Sequence, residues 1–182
     1  MYKRQLHTLI FDDPECRPFY YKNGKSFKDY HKEGEIFWHK YVTYTEGMSD
    51  YWDYSFFNVS VIRYADVLLL YAECLNDKGE TTEAINIINK VRARVNVPAL
   101  PLTMSKAEVL KHLQDKERPC ELALEGSRWY DLVRWGIVEE TLKAHNKPFV
   151  ENYVDTKHQL FPIPHSEFLL NPDWEQNPNY SK

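Results

Sequence analysis

Two stretches of this sequence carry side chains that could do chemistry. Glu117, Glu121 and Glu125 stand at intervals of four, with Arg118, Arg128, Asp131 and Arg134 close by. A pair of carboxylates can hydrolyse a glycosidic bond when the two face the substrate from opposite sides, roughly 5–10 Å apart. Glutamates spaced by four fall on one helical stripe and do not meet that geometry. The reading that fits is a structural ion network joining the 117–125 segment to a helix at 128–135. The second stretch is Tyr51-Trp52-Asp53-Tyr54, three large rings and an acid in four residues. Sugars lay their C–H faces on Trp and Tyr rings while carboxylates and amides hold the hydroxyls. Tyr51, Trp52, Asp53 and Tyr54, with Trp38, are therefore the ligand-binding candidates; Tyr20, Tyr21 and Tyr41 are weaker ones. The competing reading has the same rings packing an irregular segment onto helices.

Other chemistries find no support. The seven histidines form no carboxylate–His–nucleophile pattern, and the six glycines form no phosphate loop. Cys16, Cys74 and Cys120 are odd in number and irregularly spaced, which is neither a disulfide framework nor a zinc site. Cys74 and Cys120 sit among helical apolar residues and are expected to be buried, inert thiols. No cofactor, metal or catalytic residue is expected.

The chain of 182 residues is 43% hydrophobic, enough for one compact domain. A formal net charge of -4 argues against nucleic acid, which needs a concentrated positive face. The longest apolar run, residues 67–72, is far short of the roughly 18 needed to cross a membrane. Of the 27 aromatic residues, 16 fall in residues 1–60, so ring chemistry is concentrated at that end. The opening residues show no charged n-region followed by an apolar h-region, and the Asp12-Asp13-Pro14-Glu15 run before Cys16 does not read as a lipoprotein cleavage site. Residues 1–5 resemble a translated library adapter. They are expected to be a non-native leader, with the protein continuing upstream.

The elements that must position these residues are mostly helices. Residues 6–60 lack a clean period and read as irregular, with an extended piece near 35–45 and one hairpin. Ile62, Ala65, Leu68, Leu69, Ala72 and Leu75 predict a helix over 62–77, capped by Gly79. Thr81 or Thr82 opens a second helix, with Ala84, Ile85, Ile88, Val91 and Val95 on one face. The pair has the tetratricopeptide pattern: Ala72 and Ala84, 12 apart, let two helices pack closely. One such repeat cannot bury its face alone, so an exposed helix face and marginal independent stability are expected. Residues 105–108 form a capping box. The helix that follows is expected to kink or restart at Pro119. Ser127 opens a helix carrying Trp129, Leu132, Val133 and Trp135, ended by Gly136. Ile137 to Ala144 form another. Pro162, Pro164, Pro172 and Pro178 predict an extended tail.

Four stretches in order resemble the SusD/RagB family. They are Ile62-Arg63-Tyr64-Ala65-Asp66-Val67-Leu68-Leu69-Leu70-Tyr71-Ala72-Glu73, then Ile88-Asn89-Lys90-Val91-Arg92-Ala93-Arg94, then residues 117–136, and last Leu160-Phe161-Pro162-Ile163-Pro164 with the closing Gln176-Asn177-Pro178-Asn179-Tyr180. The likeness covers residues 60–182 well and 6–60 loosely. It departs at Pro119, where a basic helix former is usual, and at Asn179, where Gly is usual. Asn tolerates the left-handed conformation such a turn needs.

The resemblance implies an all-α, tetratricopeptide-like fold, with 6–60 as an aromatic-rich loop segment and 61–182 as the C-terminal helical domain. It implies an outer-membrane lipoprotein, anchored through a lipid outside this chain. It also implies a SusC-like TonB-dependent transporter as partner and oligosaccharide as ligand, with no catalysis. The rival readings are a helical-repeat scaffold that binds protein or peptide without glycan affinity, and a glycan-active enzyme.

Overall fold

The structure, a computed structural model, describes residues 8–13, 26–29, 31–38, 40–41 and 60–181. It divides into two compact units, residues 1–126 and 127–182. No described helix is long and apolar enough to cross a membrane.

In the first unit, α1 (Tyr64–Asp77) and α2 (Thr81–Ala93) form the helix pair. Ala72 and Ala84 are both fully buried, as are Leu69, Ile85 and Ile88. A methyl at each crossing position lets the backbones approach, and the larger residues close the gap around them. The turn between the helices is a Schellman motif. Gly79, at φ +89, gives its N–H to the Asn76 carbonyl, and the Glu80 N–H bonds the Leu75 carbonyl at 2.9 Å. Glu80 occupies the cap position of α2 without a side-chain capping bond, so Thr81 is the first helical residue.

Residues after α2 are held by Asn89. Its amide donates to the Leu100 carbonyl at 3.1 Å and accepts from the Leu100 N–H at 2.7 Å. This places Ser105 to open α3 (Lys106–His112) with both bonds of the capping box in place. The Glu108 carboxyl is held below its ordinary value by the Ser105 backbone N–H and hydroxyl. Buried Asn76 donates to the Lys106 carbonyl, tying α1 to the start of α3. Val109 and Leu113 complete the core cluster.

The helix widens before Pro119. Leu113–Glu117 is a π turn, in which the Arg118 N–H reaches back five residues to the Leu113 carbonyl. Proline lacks a donor and clashes with the carbonyl four residues earlier. The wide turn takes up that conflict and leads into α4 (Arg118–Glu121). The expected kink is thus a local change of helix pitch.

Two short strands, β1 (Leu9–Ile10) and β2 (Phe37–Trp38), pair antiparallel, with Leu9 opposite Trp38. Phe27 is buried, with His31 4.9 Å from its ring and Phe37 4.2 Å from that of His31.

The second unit begins with α5 (Arg128–Trp135) and α6 (Val138–Ala144). Ser127 makes no side-chain capping bond. Gly136, at φ +67, ends α5, and the Ile137 N–H bonds the Leu132 carbonyl at 3.1 Å. Leu132, Val138 and Leu142 form a small core, with Trp129, Val133 and Tyr153 packed on it. Trp135 is half-buried, with the Arg134 guanidinium 4.4 Å from its ring. The tail is not extended throughout. It includes α7 (Asp155–His158) and α8 (His165–Leu170), whose residues are free of proline. Pro164 sits at the cap position of α8, where its missing N–H does no harm.

The closing motif explains the tail's path. The Gln176 amide accepts from the Ile163 N–H at 2.8 Å and donates to the Ile163 carbonyl at 2.9 Å. Asn177 donates to the Phe161 carbonyl, and the Tyr180 hydroxyl to the Leu160 carbonyl. The two halves of the fourth stretch therefore clamp each other. Asn179 adopts φ +65 and donates to the Thr156 hydroxyl.

The expectation of buried thiols is also corrected. Cys74 is exposed and Cys120 half-buried. The buried face of α1 runs through Leu69, Ala72, Leu75 and Asn76, and Cys74 projects away from it.

Candidate functional site

The ends of α1 and α2 bring cations to the three glutamates. Arg63, just before α1, is fixed by three donations. Its Nε reaches Glu125 Oε2 at 2.6 Å, its Nη1 reaches Glu121 Oε1 at 2.6 Å, and its Nη2 bonds the Glu121 carbonyl. Arg94, just after α2, gives Nη2 to the same Glu121 oxygen at 2.6 Å. Lys40 donates to Glu125 and to the Ala123 carbonyl. Deeper in, Glu117 accepts from Arg92 at 2.7 Å and lies 2.9 Å from His112 Nε2. Buried Arg118 lies 2.9 Å from Asp66 of α1.

This arrangement accounts for the first three sequence stretches as one object. Arg63 and Asp66 come from the first, Arg92 and Arg94 from the second, and Glu117, Arg118, Glu121 and Glu125 from the third. Burying such charges is tolerable only because each lies against an opposite charge. Burial of Glu125 works to raise its pKa, but hydrogen bonds from Arg63 and Lys40 outweigh it and hold the carboxyl below its usual range. Burial of Arg63 works to lower its pKa, and the bonds and charges of Glu125 and Glu121 hold it above its usual value. Both groups are thus charged at ordinary pH. Glu125 is bound as a carboxylate and is not poised to donate a proton.

Arg128, Asp131 and Arg134 lie in the second unit. Asp131 is buried and accepts from Arg134 Nε at 3.0 Å. The cations that meet the glutamates within the first unit are Arg63, Arg92, Arg94 and Lys40, which sequence reading did not assign to them. Arg63, Arg92 and Arg94 stand inside quoted stretches, so the stretches themselves were the signal.

A cavity of about 330 Å³ opens over this network, with Arg63, Arg94, Glu121 and Glu125 in its lining and Thr8, Tyr41 and Ser60 at its sides. A second hollow, of about 420 Å³, lies between the start of α1 and the end of α2 and shares Arg63 and Arg94 with the first. In the second unit, Trp129, Phe149, Tyr153 and His158 line an apolar pocket of about 280 Å³. The Trp129 and Tyr153 rings meet edge to face at 6.2 Å. Among the described residues, no group of three His, Cys, Asp or Glu could hold a metal ion.

Of the sequence-derived binding candidates, Tyr51, Trp52, Asp53 and Tyr54 lie outside the described residues, as do Tyr20 and Tyr21. Trp38 lies on β2, about half-exposed at 52%. Tyr41 lines the polar cavity at φ +67.

Comparison with known proteins gives a consistent result. The profile of the SusD family matches residues 18–180. SusD-like protein P38 of Formosa agariphila is 37% identical over 130 residues, covering 68% of this chain and 25% of that protein. SusD-like protein P2 of the same organism is 31% identical over 131 residues, covering 68% of the chain and 26% of that protein. The crystal structure of a SusD superfamily protein from Bacteroides vulgatus superposes with a TM-score of 0.76 at 29% identity. It covers 97% of this chain and 39% of that one. The chain spans about a quarter of the length of the curated relatives it matches.

Proposed function

The chain belongs to the SusD family, and from that premise we propose that it binds oligosaccharide at the outer membrane and delivers it to a SusC-like TonB-dependent transporter. The family match carries this reading. It is supported by the state of the glutamates: Glu117, Glu121 and Glu125 are each tied to at least one guanidinium. Carboxylates held this way build a scaffold and are not themselves free to serve as an acid–base pair. The protein then acts by binding, as a surface lipoprotein anchored through a lipid attached outside this chain.

One observation favours a second reading, a helical scaffold that binds protein alone. Tyr64, Val67 and Tyr71, spaced three and four apart on α1, are exposed at 75%, 48% and 52%. An apolar stripe of this kind fits a partner helix. A panel separates the two. The glycan reading expects the 182-residue chain to retain at least one oligosaccharide in affinity electrophoresis, and its gene to stand beside one for a TonB-dependent transporter. Tight peptide binding without retention of any glycan would support the scaffold instead.

A further inference from the structure

The two hollows of the first unit meet along one line of cations. Arg63 and Arg94 line both, Lys40 lines the smaller, and Lys90 lines the larger. The carboxylates in these linings lie beneath the cations. The side chains of Glu121 and Glu125 are 2% and 6% exposed, against 26% for Arg63 and 58% for Arg94. The charge offered to a ligand is therefore positive, in a chain whose formal net charge is -4.

The buried carboxylates also pre-organise this ridge. Arg63 is fixed through all three of its nitrogens, so little rotamer freedom is lost when a ligand arrives. Arg94 gives Glu121 only Nη2 among the described residues, which leaves the rest of a planar fork suited to a carboxylate or sulfate. Beside the cations, Ala65, Leu68 and Val91 floor the larger hollow, and the exposed Tyr64 ring stands at its edge. Thr8, Ser60 and Tyr41 line the smaller one.

Resting on the glycan reading, we infer that this ridge binds an acidic oligosaccharide. Its carboxylate or sulfate groups meet Arg94 and Lys90, and the C–H face of a sugar ring lies against Tyr64. The volumes, about 330 and 420 Å³, fall in the range of small-ligand sites. The competing occupant is an acidic peptide. The larger hollow is walled by two helices, α1 and α2, and none of its lining residues lies in a strand. It therefore offers no strand edge to an extended chain.

The test uses the 182-residue chain and calorimetric titration with oligouronates and sulfated oligosaccharides, each beside its carboxyl-reduced or desulfated counterpart. At least one acidic form is expected to bind about tenfold or more tightly than its neutral counterpart, the effect of one charge-assisted contact. Its affinity falls between 50 and 500 mM salt. The exposed substitution Lys90→Gln weakens the preference and leaves the thermal midpoint unchanged, and the double substitution Lys90→Gln/Arg94→Gln removes the preference. Equal affinity for acidic and neutral forms overturns this inference while the glycan reading stands. A preference that survives the double substitution places the acid elsewhere and also overturns it. Binding of an acidic peptide with no glycan bound overturns both.

Discussion

The residues up to Gly126 bury charge, and those from Ser127 onward bury little. Glu117, Arg118 and Glu121 are all at 4% exposure or less in the first unit, while Asp131 is the buried charged residue of the second among those described. The first unit joins three distant sequence stretches through ion pairs over an aliphatic core. The second has a three-residue core, and neutral side-chain amides hold its tail to backbone groups. The difference is one of stakes. A buried carboxylate that loses its partner leaves an uncompensated charge in a low-dielectric setting. An amide that lets go of a half-exposed backbone group is rescued by water.

The largest effect is expected from taking a buried charge out of the first unit. Glu117→Ala leaves Arg92 and His112 facing a cavity and should destabilise by about 3–5 kcal/mol, read from urea midpoints. A loss under about 1 kcal/mol would erase the distinction drawn here.

Gln176→Ala removes both bonds to Ile163 and should cost about 1–2 kcal/mol. Hydrogen exchange should show the loss at residues 160–164 and leave α1 and α2 protected. Equal loosening of both units would break the comparison.

The pH response sharpens it. The Glu125 carboxyl titrates below its ordinary 4.5 when folded. Its contribution is therefore present above that value and lost as pH falls through the depressed one. Arg63, held above its ordinary value by Glu125 and Glu121, contributes throughout this range. Tyr153 behaves in the opposite sense. Burial and the bond to Asp155 push it up to about 12, so its contribution is intact below 10 and lost as pH rises through 12. Acid should loosen the first unit in exchange experiments, and Glu125→Gln should flatten that acid limb. Alkali should loosen the Tyr153 region first.

The smallest effect belongs to the exposed Glu139–Lys143 pair. Glu139→Gln should change stability by no more than about 0.5 kcal/mol, which calibrates the assay for the other substitutions.

Much of the fold could be read from local pattern. The three-and-four spacing of residues 62–75 placed α1, Gly79 and Gly136 marked two helix ends, and residues 105–108 announced α3. Each signal lies within one or two helical turns of what it controls. The partners of Glu121 and Glu125 could not be read this way, because Arg63 stands about 60 residues away with no period linking them. The clamp of Gln176 on Ile163 escaped for the same reason, since a side-chain amide acting as a strand leaves no alternation to see. Cys74 was misplaced because apolar neighbours on both faces of α1 hid which face was inside.

The most direct test of capture without chemistry is to incubate the chain with the glycan it retains, recover that glycan, and compare its chain length by mass spectrometry. The account predicts saturable binding and glycan of unchanged length after prolonged incubation. Shortened glycan, with the shortening abolished by Glu121→Gln, would contradict it.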